Sequence, residues 1–119
     1  METQESVEFF THEIKRRFVK SFLDMLILRL VEAEPTWGYD IMKETESTYQ
    51  VKLRHGALYP MLKQLEAKGF VKSRKELKKG RVRKIYEITR RGKQVLLAYY
   101  DSLKEQLPNE DIKGRSKRK

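Results

Sequence analysis

Apolar positions in the first third of the chain recur at helical spacing and predict two helices. Over residues 5–18 an apolar residue returns every three or four positions, which indicates an amphipathic helix. A second helix should start at Ser21, which can cap it, with Asp24 in the first turn, where negative charge suits the helix dipole. Apolar residues then cover most of its circumference up to Val31. This helix should therefore be the centre of the core, and Pro35 ends it.

The middle of the chain predicts two more helices. Residues 37–48 suit a short one, and the stretch GALYPMLKQLEAKG suits a longer one that stops at its last glycine, Gly69. One face of the longer helix is apolar and should pack on the core: Leu58, Met61, Leu62 and Leu65. If this helix begins near Gly56 or Ala57, Pro60 lies at the limit of its first turn, where at most one backbone hydrogen bond is missing.

From Val71 the apolar period changes to two, which predicts a β-hairpin. Alternating residues run to Leu77, the sequence KKGR makes the turn, and alternation resumes from Val82 to Thr89. Thr89 can then cap a last helix that ends before Pro108. The apolar residues of this helix recur at spacings of four, three and four, which is typical of a coiled-coil seam: Leu96, Tyr100, Leu103 and Leu107.

Three core helices, a hairpin and a final helix form the order of a winged helix-turn-helix. In that arrangement the third helix enters the DNA major groove and the hairpin, or wing, lies against the backbone or minor groove. The predicted fold class is therefore mainly α with a small β-hairpin. We expect one winged-helix domain over residues 1–107, made of an N-terminal helix (1–19), a winged-helix core (20–89) and a C-terminal dimerisation helix (90–107). A basic flexible tail follows at 108–119.

The distribution of charge favours a polyanionic partner. The chain has 27 Lys and Arg against 17 Asp and Glu, a net charge of +10. Residues 72–93 alone hold 11 basic and 2 acidic residues, and the last seven residues, KGRSKRK, hold five basic residues and no acid. A generic solvated surface would mix the two signs. The concentrated charge therefore indicates nucleic acid as the partner, in preference to a merely solvated lysine-rich face.

Several classes of protein are disfavoured by composition. The chain has no cysteine, and His12 and His55 are its only histidines, so neither a metal site nor a cofactor is expected. Acidic residues are scattered rather than clustered, which argues against an enzyme such as a nuclease. The longest apolar stretch, residues 22–31, is interrupted by Asp24 and Arg29 and is shorter than the ~20 residues of a membrane span. We expect a soluble, cytoplasmic protein that is not bound to membranes.

Three segments resemble a known family. GYDIMKE (38–44), GALYPMLKQLEAKGFV (56–71) and KKGRVRKIYEITRRGKQVL (78–96) are similar, in order and spacing, to the PadR-like family of transcriptional regulators. The resemblance covers roughly residues 23–97, and the block from Gly56 to Pro60 is its most specific part. It implies a homodimeric, sequence-specific DNA-binding protein that acts as a repressor.

The candidate DNA-binding residues lie on the third helix and on the hairpin. Tyr59 and Lys63 point away from the apolar stripe, and the resemblance implies that the tyrosine faces double-stranded DNA. Gly56 and Ala57 have almost no side chain, so their backbone N–H groups can approach phosphate. The remaining candidates on and beside the helix are Arg54, His55 and Gln64. On the hairpin, Gly80 permits the tight turn and four cations are phosphate candidates: Lys79, Arg81, Arg83 and Lys84.

The two terminal helices are the candidate dimer interface. Both have more apolar surface than one small core absorbs, which predicts a homodimer. The residues are Phe10, Ile14 and Phe18 of the first helix and Leu96, Tyr100, Leu103 and Leu107 of the last. Two interpretations stay open for Tyr99 and Tyr100, which either pack in the dimer or line a pocket between subunits for a small hydrophobic or aromatic effector.

One rival function uses the same fold. A chromatin- or RNA-binding protein without sequence preference would also explain the basic segment and the basic tail. Competition between a specific DNA site and arbitrary nucleic acid separates the two functions.

Overall fold

The computed structural model describes residues 3–108, with their side chains from residue 6 onward. The elements are α1 (Thr3–Ser21), α2 (Leu23–Ala33), β1 (Thr36–Trp37), α3 (Gly38–Tyr49), α4 (His55–Ala67), β2 (Val71–Lys78), β3 (Arg81–Ile88) and α5 (Arg90–Gln106). Within this part of the chain there are five helices and one three-stranded antiparallel sheet. The predicted winged helix, mainly α with a β-hairpin, is confirmed. The expected basic tail lies, from residue 109 onward, outside the described residues.

Helix α2 lies at the centre of the core, as predicted. Ile27 and Leu28 have no exposed surface, and their neighbours on α2 are also buried. The predicted start of the helix at Ser21 is wrong, because Ser21 is the last residue of α1. Phe22 stands at the junction, where its N–H donates to the Phe18 carbonyl and its own carbonyl accepts from the Leu26 N–H, both at 2.9 Å. Backbone hydrogen bonds therefore continue from one helix into the next, and no side-chain cap is needed.

The sheet contains one strand more than predicted. Strands β2 and β3 form the expected hairpin, hereafter the wing, with Lys78 opposite Arg81. Lys79 and Gly80 have φ values of 51° and 77°, the left-handed conformation that a two-residue hairpin turn requires. Strand β1 pairs with β3 through Thr36, opposite Tyr86. A two-residue strand is too short to show a period, so the prediction of a two-stranded hairpin missed it.

The apolar stripe of α4 packs as predicted. Leu58, Leu62 and Leu65 are buried, and Met61 packs at the edge of the core. The helix stops where expected, because Gly69 is left-handed with φ 80° and the following Phe70 N–H donates to the Leu65 carbonyl at 2.9 Å.

The start of α4 differs slightly from the prediction. The helix begins at His55, which makes Pro60 its sixth residue rather than a first-turn residue. Proline has no N–H, so one hydrogen bond is absent, the one that would reach the Gly56 carbonyl. The helix tolerates this loss, since Pro60 is exposed and the Gly56 side of the helix is open.

Thr89 caps α5 as predicted. Its hydroxyl oxygen accepts from the Gly92 N–H at 3.0 Å and its hydroxyl donates to the Gly69 carbonyl at 2.6 Å. This second bond ties the start of α5 to the end of α4. It thereby fixes the position of the last helix relative to the DNA-reading helix.

The predicted seam of α5 is largely used within its own chain. Leu96 is only 1% exposed and belongs to the core, so its assignment to a dimer seam is wrong. Tyr100 and Leu103 are partly buried against the same core, and Leu107 lies beyond the helix end and is exposed. The periodicity located the apolar face of α5 correctly, but much of that face covers α2.

Helix α1 keeps more of its apolar face exposed. Phe18 packs within the chain against Phe22 and Tyr49, with ring centroids 5.2 and 6.0 Å away. Phe10 and Ile14, in contrast, are 58% and 57% exposed. Of the predicted dimer residues, these two and Leu107 remain the most available to a partner.

Candidate nucleic-acid interface

The first turn of α4 presents a positive helix end. Arg54 stands at the N-cap without a side-chain hydrogen bond, and the first turn holds no acidic residue. The N–H groups of Ala57 and Leu58 both donate to the Arg54 carbonyl at 3.0 Å. The Ala57 N–H is thus already engaged, which corrects the expectation that it is open to phosphate. Gly56 meets this expectation better, because no atom lies within 4 Å of the position where a Cβ would stand.

Tyr59 lies on the exposed side of α4, as predicted. Its ring stacks on His55, one turn earlier, with centroids 5.3 Å apart and planes inclined by 16°. It is 38% exposed and rests over Gly38 at the start of α3. Tyr59 is therefore held between two helices of the helix-turn-helix while part of its surface remains open.

A groove of about 790 Å³ runs between α4 and the wing. We call it the α4–wing groove. It brings together six of the candidates that the sequence suggested: His55, Tyr59, Lys63, Arg81, Arg83 and Lys84. The helix contributes the first three and strand β3 the others. Residues more than 17 positions apart in sequence thus form one basic surface.

The other candidates lie outside this groove. Lys79 and Gly80 form the exposed tip of the wing, and Gln64 is exposed on α4. Arg54, Gly56 and Ala57 line a second groove on the side of α1.

The two acids of the wing segment share one arginine. Arg74 pairs with Glu76 at 3.0 Å and also with Glu87. Because these are the only acids among residues 72–93, the remaining basic residues of that segment keep their charge uncompensated by it. Lys78 and Arg83 lie 4.8 and 5.7 Å from the centre of the Trp37 ring. Buried Trp37 therefore supports the wing cations from below.

The floor of the α4–wing groove is polar and fixed. Glu66 accepts a hydrogen bond from the Ser73 hydroxyl at 2.7 Å, which holds its carboxylate against β2. Burial, followed by the nearby Glu66 and Tyr59, raises the pKa of Tyr86. Tyr86 therefore keeps its hydroxyl protonated and able to donate.

Sequence reasoning missed three residues that line the groove: Trp37, Tyr39 and Tyr86. Tyr39 is half exposed on the first turn of α3, with the Lys43 ammonium 5.5 Å from its ring centre. Its place directly after Gly38 fitted the apolar pattern of a helix, so the pattern assigned it to packing. An exposed aromatic beside a cation was the signal available in the sequence.

Two further searches of residues 3–108 gave negative results. No cluster of three or more His, Asp or Glu side chains there is placed to hold a metal ion. None of the helices in that range has the length together with the apolar character needed to cross a bilayer.

Comparison with known proteins identifies relatives of known structure. A PadR family transcription regulator from Clostridium difficile R20291 superposes with a TM-score of 0.67 at 27% identity, covering 76% of this chain and 98% of that one. Bacillus subtilis PadR, solved in complex with operator DNA, superposes with a TM-score of 0.61 at 30% identity, covering 66% of this chain and 45% of that one. An uncharacterised protein of Lysinibacillus sphaericus is 31% identical over 88 residues, 70% of this chain and 79% of that protein.

The match to a family extends over more than half of the sequence. Residues 27–98 match the transcriptional regulator PadR-like family, a range that runs from the core helix α2 through α4 and the wing into α5. The segments whose resemblance to this family was noted in the sequence fall within that range. The chain therefore belongs to the PadR-like family of transcriptional regulators and is not an enzyme.

Proposed function

We propose that this protein is a sequence-specific repressor that binds double-stranded operator DNA as a homodimer. The α4–wing groove is the observation that supports this most strongly, since it joins Tyr59 and Lys63 of α4 with Arg81, Arg83 and Lys84 of β3. Bacillus subtilis PadR, which shares the fold, was solved with operator DNA, and we extend that partner to this chain.

The two sides of the α4–wing groove have different tasks in this proposal. Helix α4 enters the major groove, where Lys63 reaches a guanine edge or a phosphate and the Tyr59 hydroxyl donates to phosphate. The cations of β3 bind the backbone, which positions the protein without reading sequence. The open N–H of Gly56 adds a phosphate contact at the positive end of α4.

Pairing of two chains sets the form of the operator. The exposed apolar side chains of Phe10 and Ile14 support a homodimer formed through α1 and the outer part of α5. A two-fold dimer places two α4 helices about one turn of DNA apart, ~10 bp or a multiple of it. The operator should therefore be pseudo-palindromic.

Regulation, location and domain limits complete the proposal. A small hydrophobic or aromatic effector that binds between the subunits near Tyr99 and Tyr100 would release the operator. Both tyrosines are partly buried on α5, which supports a position at the edge of the core. Residues 1–107 act as one DNA-binding and dimerising unit. We place the protein in the cytoplasm, because a repressor works beside the chromosome.

A salt titration tests the central claim. The operator is first obtained by sequencing the genomic fragments that the protein enriches, and wild type and variants are then titrated on operator and scrambled duplexes. Arg81→Ala and Lys84→Ala should weaken binding to both duplexes by similar factors, and each should flatten the log–log salt dependence by ~0.9. Lys63→Ala should instead lower the ratio of operator to scrambled affinity.

One result would overturn the proposal. If wild type binds both duplexes equally at every salt concentration, the protein is the non-specific nucleic-acid binder that the basic composition also fits. The melting temperature of each variant controls for loss of fold, since all three substituted side chains lie on the surface of the groove.

A further inference from the structure

A second groove, of about 620 Å³, lies between α1 and the segment that leads into α4. We call it the α1 groove. Its rim carries five cations and one acid: Arg16, Arg17, Lys20, Lys52, Arg54 and Glu13. Buried Val19, Leu23 and Leu53 lie beneath them. The cations of α1 come from the sequence KRRFVK at 15–20, which lies outside the basic segment of the wing.

The charge of the α1 groove is poorly compensated. Its acid, Glu13, pairs with Arg16 at 3.1 Å, one helical turn away. Among the side chains that the structure describes, Arg17, Lys20 and Lys52 have no acidic partner within 4.0 Å, and neither has Arg54. Like charges gathered over an apolar floor repel one another and focus a positive potential. Such a surface suits an extended anion.

The α1 groove is held in shape by contacts at its end. The His12 ring donates to the Gln50 carbonyl at 3.1 Å, and the Lys15 ammonium donates to the Gln50 side chain at 3.2 Å. Gln50 itself is left-handed, with φ 55°, and ends α3. These bonds fix α1 against the turn between α3 and α4, so that the cations need little rearrangement to bind.

The α1 groove is continuous with the DNA-reading helix. Arg54 caps α4 and Gly56 lies in its first turn, and both line the groove. A DNA strand that passes the positive end of α4 would continue over Arg17 and Lys20. The α4–wing groove lies on the other side of the same helix start, where His55 and Tyr59 stand.

We propose that the α1 groove binds the phosphate backbone of the operator beyond the bases that α4 reads, through Arg17, Lys20 and Lys52. This inference rests on the proposed function, because it takes operator DNA as the occupant. It adds α1, an element that lies wholly outside the part of the chain matched to the family, to the DNA-binding surface. The contacts are to phosphate and therefore add affinity without sequence preference.

The experiment compares two lengths of operator. One duplex ends at the bases read by the two α4 helices and the wings, and the other extends about one helical turn, ~10 bp, on both sides. The double variant Arg17→Ala/Lys20→Ala should bind the short duplex like wild type. On the long duplex its log–log salt dependence should be flatter by ~0.9 for each phosphate that the variant no longer binds, or up to ~1.8. The matched control is Lys93→Ala/Lys104→Ala, which removes two exposed cations of α5, an element that does not line the α1 groove.

A variant of opposite sign strengthens the test. Glu13→Gln removes the acid of the groove, releases Arg16, and should tighten binding to the long duplex while leaving the short one unchanged. Melting temperatures of all variants should stay near that of wild type, because each substituted side chain lies at the surface or in a surface ion pair.

The outcomes separate this inference from the proposed function. If wild type prefers the operator but Arg17→Ala/Lys20→Ala and wild type show the same salt dependence on the long duplex, the α1 groove is not a phosphate site. If wild type has no preference yet the double variant still flattens the salt dependence, the groove binds phosphate and the sequence-specific function fails. A fall equal to that of the α5 control would also overturn the inference, since total charge alone would then explain it.

Discussion

The hydroxyl of Tyr59 on α4 lies directly over Gly38, the first residue of α3. A Cβ added at Gly38 would stand 2.5 Å from the Tyr59 Oη and 2.9 Å from two atoms of the ring. Real side chains do not approach so closely, so the absence of a side chain at Gly38 allows the observed position of the tyrosine. The stack on His55 fixes the other side of the ring. Two helices thereby set the direction of one candidate DNA contact.

Gly38→Ala should weaken operator binding through Tyr59. The added methyl group pushes the ring away and prevents its hydroxyl from reaching phosphate. A hydrogen bond to a charged group contributes about 1.5–3 kcal/mol, so the affinity should fall roughly tenfold or more. Stability should change little, because alanine favours the helix over glycine by ~1 kcal/mol and offsets part of the strain. Fluorescence anisotropy on the operator measures the loss.

A double-mutant cycle identifies the mechanism. In a Tyr59→Ala background, Gly38→Ala has no ring to displace and should leave operator affinity unchanged. Additive losses would show that Gly38 acts on DNA binding by some other route.

Gly92→Ala should destabilise the protein severely. A Cβ at Gly92 would overlap the backbone of Phe70 and contact the Ile88 side chain at 2.8 Å. The Phe70 carbonyl also accepts the Thr89 N–H at 3.1 Å, so moving it would disturb the cap of α5. We expect a loss of about 3 kcal/mol, which lowers the melting temperature by more than roughly 10 °C.

The matched control is Gly56→Ala, the same change at a helical glycine with nothing within 4 Å of the added atom. Its melting temperature should stay level or rise slightly, because alanine is the better helix former. If Gly92→Ala melts together with Gly56→Ala, the close approach of α5 to Phe70 has no energetic importance.

The sequence predicted the elements better than the surfaces that cover them. Leu58 and Leu65 of α4 were assigned to the core correctly, because the helical period shows which face is apolar. Leu96 was assigned to a partner although it is buried in its own chain, because a period carries no information about which body covers the face. Gly92 gave no signal at all, since a close approach between distant segments exists only after folding.

The candidate DNA-binding surface shows the same division. Helical spacing alone placed Tyr59 and Lys63 outside the core stripe, and the structure agrees. That both would share a groove with Arg83 depended on β3 crossing beside α4, and β1 had to pair with β3 to bring Trp37 there. The sequence of β1 is too short to predict this pairing.

Tyr99→Phe should lower stability at neutral pH. The Tyr99 hydroxyl donates to the Asp24 carboxylate and so joins α5 to the first turn of α2. Without this bond the free energy of unfolding should fall by about 1–2 kcal/mol. Chemical denaturation of both proteins at neutral pH measures the difference, and equal midpoints would show that the bond is not stabilising.

The same pair predicts a dependence on alkaline pH. Burial, followed by the hydrogen bond and the charge of Asp24, raises the pKa of Tyr99 from 10.0 to about 12. Folding therefore favours the protonated hydroxyl, so its contribution is complete below pH 10 and is lost as the pH rises towards 12. The stability difference between wild type and Tyr99→Phe should narrow over this interval. Other tyrosines and lysines titrate in both proteins alike, and a constant difference would contradict the assignment.

Ile14→Glu should convert the proposed homodimer to a monomer. Ile14 and Phe10 lie one turn apart on α1 and are each more than half exposed, so a charge there disturbs little within the chain. Burying such a side chain contributes about 1.5–3 kcal/mol, and a two-fold interface counts it twice. The dimer dissociation constant should therefore rise by roughly two to four orders of magnitude. Sedimentation velocity at micromolar concentration measures the change, and operator affinity should fall with it.

Ile14→Glu is a cleaner test of the dimer than a change at Leu103, which packs against the core and would confound dissociation with unfolding. Leu77→Glu is the matched control, because it puts the same charge in place of an equally apolar and still more exposed residue, on the wing. This control should remain a dimer. A wild-type protein that already sediments as a monomer would refute the dimer, and dissociation of both variants would show that added charge, and not the face of α1, disrupts the assembly.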